Sequence, residues 1–130
     1  MLQSVSLTKS VPMKLIPISD QEVDRIILAA RIIEEHMRDP LSISQLATKV
    51  KLSEVKLKSG FKQVYGITPY TYLLEARMKK AKLMLLSEEP IKAIAMTIGY
   101  KTESNFCKAF KKICNESPKS WMKKQLKQAV

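Results

Sequence analysis

The chain has 130 residues, 45% of them hydrophobic, which is enough for one modest core or two very small ones. It contains no apolar run near the ~18 residues that a membrane-spanning helix needs and no secretory signal at its start, so we expect a cytoplasmic protein. The formal net charge is +11, and the whole excess lies in residues 41–130, which predicts a polyanionic partner, either nucleic acid or an acidic membrane surface.

The first part of the chain divides into an irregular stretch and a helix. Residues 1–18 show no clean hydrophobic period and contain two prolines, so we expect a leader or the remnant of a linker from a longer protein. Ser19 and Glu22 have the spacing of a capping box, which predicts that a packing helix begins there and ends at Pro40. Its predicted apolar face consists of Val23, Ile26, Ile27, Ala30, Ile33 and Met37.

After Pro40 the same pattern occurs twice. Three apolar residues return 48 positions later: Ile43, Ala47 and Val50 correspond to Ile91, Ala95 and Ile98. Six further residues return 49 positions later: Ser53, Leu57, Phe61, Gly66, Pro69 and Tyr72 correspond to Thr102, Phe106, Phe110, Asn115, Pro118 and Trp121. One residue has therefore been inserted between these two blocks in the second copy. A turn tolerates such an insertion far better than a helix, and it falls near Lys51 in the first copy and Gly99 in the second. Each copy therefore predicts a helix, a short turn and a second helix, the outline of a helix-turn-helix.

The turns and the helix ends have matching chemistry in the two copies. Gly99 accepts a positive φ readily, whereas Lys51 does so at a cost of about 1 kcal/mol. The second helix of each copy is predicted to begin at a hydroxyl N-cap, Ser53 or Thr102. It is predicted to stop at Gly66 or Asn115, the two residue types that best accept the left-handed conformation after a helix.

A long helix is predicted between the copies. Thr68 suits its N-cap and Pro69 its first position, and the helical pattern runs to about Leu86. At ~1.5 Å per residue this helix is about 27 Å long. It therefore holds the two copies apart as a spacer.

The second helix of each copy presents the side chains that could bind a partner. Leu57, Phe61 and Val64 are predicted to face inward in the first, as are Phe106, Phe110 and Ile113 in the second. The outward faces then present Val55, Lys58, Ser59 and Lys62 in the first copy and Glu103, Ser104, Cys107, Lys108 and Lys111 in the second. A helix fits the major groove of DNA, where Lys, Ser, Glu and Val can each contact base edges, although a single such face is commonly just solvated. Duplication favours DNA, because two such helices could reach successive major grooves, ~34 Å apart.

At this point the sequence resembles a known family. Residues 20–124 are similar to the DNA-binding domain of the AraC/XylS transcription regulators, with the most specific match in Ile94-Ala95, Ile98-Gly99-Tyr100, Ser104, Phe106, Phe110-Lys111-Lys112, Ser117-Pro118 and Trp121, preceded by Arg77 and Ala81. The resemblance implies an all-α fold: two helix-turn-helix subdomains, residues 19–66 and 87–124, joined by a linker helix in residues 67–86. It also implies a bacterial transcription regulator, usually an activator that contacts RNA polymerase, and a missing N-terminal effector or dimerisation domain is compatible with it.

The resemblance assigns roles by position. Base reading is expected from Val55, Lys58, Ser59, Glu103, Ser104, Cys107 and Lys108, and phosphate contact from Lys62, Lys111 and Lys112. The family commonly has Arg where this chain has Ser59 and Gly where it has Lys51, so base specificity does not transfer from a relative. Ser59 in place of Arg leaves strong guanine readout by the first helix open.

Other classes of function find little support in the sequence. The single histidine, His36, has no nucleophile at a recognisable spacing, so no catalytic residue is predicted. Cys107 and Cys114 lie about 10.5 Å apart along a helix, too far for a disulfide or a shared metal, and we predict neither a metal nor a cofactor. A redox role for Cys107 stays open as the minor alternative to a plain contact residue. The main alternative to DNA binding is a basic all-helical module for a protein or RNA partner.

Overall fold

Seven α-helices make up the fold of residues 16–129, the part of the chain that the computed structural model describes. They are α1 (Asp20–Glu35), α2 (Ile43–Val50), α3 (Glu54–Tyr65), α4 (Pro69–Leu86), α5 (Ile91–Ile98), α6 (Glu103–Cys114) and α7 (Pro118–Ala129). The predicted all-α fold with two helix-turn-helix units and a linker helix is confirmed. The predicted leader lies outside the described residues except for residues 16–18. None of the described helices is both long and apolar enough to cross a membrane.

The helices enclose two separate hydrophobic cores. The first core lies among α1, α2, α3 and the start of α4, with Ile26, Ala29, Leu46, Val50, Leu57, Phe61 and Leu73 among its buried side chains. The second lies among the rest of α4 and α5–α7, with Met78, Ala81, Leu85, Ile94, Ile98, Phe106 and Phe110 among its own. Helix α4 therefore belongs to both halves, and its buried face changes from one core to the other around Arg77.

Helix α4 follows the sequence closely. Thr68 caps it, its Oγ1 accepting from the Thr71 N–H at 3.1 Å, and Pro69 occupies the first turn, where a missing N–H costs nothing. The helix ends at Leu86 after 18 residues, as predicted. The start of the spacer is thus set by local sequence signals.

Helix α1 differs from its prediction at the C-terminal end. The capping box of Ser19 and Glu22 is confirmed, but the helix stops at Glu35 rather than running to Pro40. The prediction of an apolar face that includes Ile27 and Met37 is wrong in part. Ile27 is 44% exposed while Ala29 is fully buried, and Met37 lies beyond the helix, where it packs against both cores. Beyond the end of the helix the chain turns toward α4, and there the Met37 carbonyl accepts two hydrogen bonds from Arg77.

Phe110 offers a test of the second core. Its ring is fully buried between Phe106 and Trp121, with centroid separations of 5.8 Å and 6.3 Å. Phe110→Ala should lower the free energy of unfolding by about 3–5 kcal/mol, because it removes buried area and leaves a cavity. Urea unfolding followed by circular dichroism measures this. Leu126→Ala, at a side chain that is 59% exposed, is the control and should change stability by less than about 0.5 kcal/mol. Equal effects of the two variants would contradict the assignment of the core.

Candidate nucleic-acid interface

Two equivalent turns aim α3 and α6 at the surface. Lys51 after α2 and Gly99 after α5 both have positive φ, 59° and 116°. The next residue in each turn donates its N–H back to the preceding alanine, Leu52 to the Ala47 carbonyl at 3.0 Å and Tyr100 to that of Ala95 at 2.8 Å. The predicted turn positions are confirmed, and the two turns share one backbone hydrogen-bond pattern. Both alanines are buried, where a small side chain lets the two helices of each unit pack closely.

Matching caps fix the two helices that follow the turns. Ser53 Oγ accepts from the Lys56 N–H at 3.1 Å, and Thr102 Oγ1 accepts from the Asn105 N–H at 3.0 Å. Gly66 and Asn115 close the helices in the left-handed conformation, with φ of 78° and 65°. The predicted caps are confirmed at all four ends, so α3 and α6 have the same length, 12 residues.

The outer face of α3 is cationic at two of its predicted positions. Val55 is 60% exposed, and Lys58 and Lys62 are also exposed. Ser59, on the same face, is half-buried, and its Oγ accepts from the Ile16 N–H at 3.2 Å and from Gln63 Nε2 at 3.0 Å. Gln63 Nε2 also donates to the Ile16 carbonyl at 2.6 Å. Ser59 therefore anchors the segment that precedes α1, a role that the sequence did not suggest.

The outer face of α6 is more open than that of α3. Glu103, Ser104, Lys108, Lys111 and Lys112 are all exposed. Cys107 is the exception, since it is half-buried and packs against the second core. Cys114 packs against the same core, and burial raises the pKa of its thiol. Of the residues predicted for base reading, Ser59 and Cys107 thus have reduced access to a partner.

The ion pairs of the described residues do not involve the lysines on the outer faces of α3 and α6. In the described part of the chain the ion pairs are Lys56 with Glu22, at 2.6 Å, and Lys124 with Glu116, at 3.3 Å. The hydrogen bond from Lys56 and a further one from the Ser19 N–H lower the pKa of Glu22, and the Lys56–Glu22 pair ties α1 to α3. None of the lysines proposed to contact DNA takes part in these pairs. Their charge is left available for a polyanion.

A lysine-lined groove on α7 was not among the predicted sites. It has a volume of about 400 Å³ and is lined by Ser117, Lys119, Ser120, Lys123, Lys124 and Lys127. The sequence did hold a signal for it, because Lys119, Lys123 and Lys127 recur at every fourth position and so share one helix face. The groove adds positive charge to the second subdomain. Within residues 16–129, no cluster of three or more potential metal ligands occurs.

Comparison with known proteins identifies the family. The sequence model described as "Helix-turn-helix domain" matches residues 46–124, which include both turns and both capped helices. An AraC-type DNA-binding transcriptional regulator from Chromobacterium violaceum has the same fold, with a TM-score of 0.68, 26% identity and coverage of 75% of this chain and 88% of that one. The chain belongs to the AraC-type family of helix-turn-helix transcription regulators.

Other AraC-type relatives agree. The C-terminal domain of AraT, a response regulator from Geobacillus stearothermophilus, superposes with a TM-score of 0.69 at 33% identity, covering 86% of this chain and 88% of that one. The probable transcriptional regulator LumQ from Photobacterium leiognathi is 29% identical over 121 residues, which are 89% of this chain and 49% of LumQ. This AraC-type chain thus spans about half the length of that relative.

The left-handed Lys51 predicts a stabilising substitution. Its φ of 59° is costly for a residue with a Cβ, and glycine removes that cost. Lys51→Gly should therefore be more stable to urea than Lys51→Ala by about 0.5–1 kcal/mol. The alanine variant is the matched control, because it removes the same lysine side chain without relieving the backbone. Equal stability of the two variants would show that this turn carries no strain.

Proposed function

We propose that this domain binds one asymmetric double-stranded DNA site, with α3 and α6 entering neighbouring segments of the major groove. The observation that carries the proposal is the equivalence of the two helices: the same turn, the same caps and an exposed cationic face in each. A helix of this kind fits the major groove, and two of them on one spacer read two segments. Membership of the AraC-type family supports the same function.

The two helices divide the proposed base reading. Val55 and Lys58 read bases from α3, through contact with a thymine methyl and donation to guanine. Glu103, Ser104 and Lys108 read bases from α6, where Glu103 accepts from cytosine N4. Ser59 and Cys107 stay proposed contacts of lower accessibility, because both are half-buried and Ser59 also binds the backbone of Ile16. The second subdomain therefore contributes more of the specificity.

The remaining lysines hold the phosphates in this proposal. Lys62 near the end of α3 and Lys111 and Lys112 near the end of α6 are exposed. Lysines at such positions contact the backbone on either side of the groove and carry no sequence information. They provide affinity, whereas the base contacts provide discrimination.

The whole regulator is proposed from the family. We infer a cytoplasmic bacterial transcription regulator that acts as an activator through contact with RNA polymerase. The relative LumQ is about twice as long as this chain, which supports a further effector or dimerisation domain in the complete regulator.

Selection of bound duplexes from random DNA tests the function directly. The expected result is one asymmetric site with two short conserved segments about one helical turn apart. The reading as a protein or RNA interaction module is the competing outcome. It would be supported, and DNA reading rejected, if no duplex were enriched while the protein bound all polyanions alike.

Stoichiometry is the first prediction for the selected site. One molecule already contains two reading helices, so we expect a complex of one protein per duplex, protected over about two helical turns. Light scattering of the complex and footprinting measure these two quantities. Two molecules on a palindromic site would contradict the prediction.

Lys108 and Lys111 should separate base reading from phosphate contact. Lys108→Ala should weaken binding to the preferred site by about 1–3 kcal/mol and relax the preference at one or two neighbouring base pairs. Lys111→Ala should weaken binding to all duplexes about equally and reduce the salt slope by about one unit. Lys112→Ala should behave like Lys111→Ala for the same reason.

Competition titrations against specific and scrambled duplexes at several salt concentrations distinguish these results. The two lysines are three positions apart on one helix, so each variant serves as the charge-matched control for the other. If Lys108→Ala lowered affinity for both duplexes equally, Lys108 would be a phosphate contact and its assignment to bases would be wrong.

A further inference from the structure

The two subdomains have few direct points of contact. No helix among α1–α3 has a Cα atom within 8 Å of any Cα atom in α5–α7, and both groups pack instead on α4. The exception is the loop after α1, where Met37 packs against both cores. The relative placement of α3 and α6 therefore depends on α4 and on whatever holds this loop.

Arg77 holds the loop from the midpoint of α4. Its guanidinium donates to the Met37 carbonyl twice, from Nε at 3.0 Å and from Nη2 at 2.8 Å. The side chain is 9% exposed, and neither ion pair in the described part of the chain involves it. A buried guanidinium needs partners for its charge, and here they are a neutral carbonyl and an aromatic ring. The ring is that of Tyr100, with Arg77 Cζ 5.0 Å from its centroid.

Tyr100 connects this contact to the second reading helix. It lies in the turn between α5 and α6, two residues before the N-cap Thr102, and its ring packs against Phe106 of α6 with centroids 6.0 Å apart. One guanidinium thus contacts a loop of the first subdomain and the turn of the second. A displacement of Arg77 would move the start of α6 relative to α3.

Gly99 makes the approach of these segments possible. A Cβ at this position would lie 2.5 Å from Arg77 Nη2 and 2.8 Å from the Met37 carbonyl oxygen, both too close for real contacts. Its φ of 116° independently excludes most side chains. The first copy has Lys51 at the equivalent turn position, exposed to solvent, so this close packing belongs to the second copy alone.

From this geometry we propose that Arg77 is a positioning residue that sets the number of base pairs between the two DNA segments read by α3 and α6. The proposal rests on the proposed DNA-binding function and goes beyond it, because it assigns spacing selectivity to a residue inside the protein. With Arg77 in place, the two helices are held at one separation and orientation. Without it, the first subdomain loop and the second turn lose their common partner, and the helices sample a range of separations.

The test measures affinity as a function of spacing. The preferred duplex is compared with duplexes in which one or two base pairs are inserted, or one removed, between its two segments. Wild-type protein should lose about tenfold or more in affinity per inserted base pair, since one helix then meets the wrong bases. Arg77→Met should reduce that penalty by about three- to tenfold while keeping the base preferences within each segment.

Two further variants keep the outcome clear. Arg77→Lys retains the positive charge but loses the paired donors and should also flatten the spacing profile, which covers the case in which Arg77→Met fails to fold. Lys79→Met removes a charge from an exposed position of α4 and should leave the profile unchanged.

The outcomes separate the two proposals. If a folded Arg77 variant weakened binding equally at every spacing, Arg77 would serve stability alone and the positioning role would be overturned. A spacing profile unchanged from wild type would overturn it as well. If wild-type protein selected no duplex sequence at all, the DNA-reading function itself would fail, whatever the Arg77 variants did.

Discussion

The contact between the Arg77 guanidinium and the Met37 carbonyl is the constraint on which the relation of the two halves depends. Each half has its own core, and within the described residues 16–129 the cores meet only along α4 and around Met37. A buried cation without a carboxylate partner is costly unless every nearby acceptor is turned toward it. The Met37 carbonyl accordingly faces α4, and the turn at Gly99 lies against the same point.

The two helix-turn-helix units share the same helices and turn but contact different parts of the molecule. In the second, a glycine turn packs tightly on Arg77 and leaves the outer face of α6 open except at Cys107. In the first, the turn is made by an exposed lysine in a strained conformation, and Ser59 and Gln63 bind the backbone of Ile16. The first unit thus also holds the chain segment that arrives from the N-terminal side. The duplicated sequence has diverged at the positions where the two copies meet different neighbours.

Local chemistry explains why most of the fold could be predicted. The caps at Ser53 and Thr102, the left-handed stops at Gly66 and Asn115, and the bounds of α4 each depend on hydrogen bonds within a few residues. The exposed lysines of α3 and α6 follow from the buried stripe on the opposite face of the same helix. What the sequence did not reveal was decided at a distance: the backbone of Ile16 binds the Ser59 hydroxyl, and the second core partly buries Cys107.

The sequence by itself therefore determined the presence of α1–α6, the two turns and the cationic faces, because each is specified by residues that are neighbours along the chain. It also contained Arg77, Gly99 and Tyr100, but not the contact that they share. Only the tertiary structure decided that these three meet Met37 at one point, since the contact joins residues 40 positions apart and requires both cores to be in place. The tertiary structure also decided the half-burial of Ser59 and Cys107, because their packing partners cannot be predicted from a local sequence pattern.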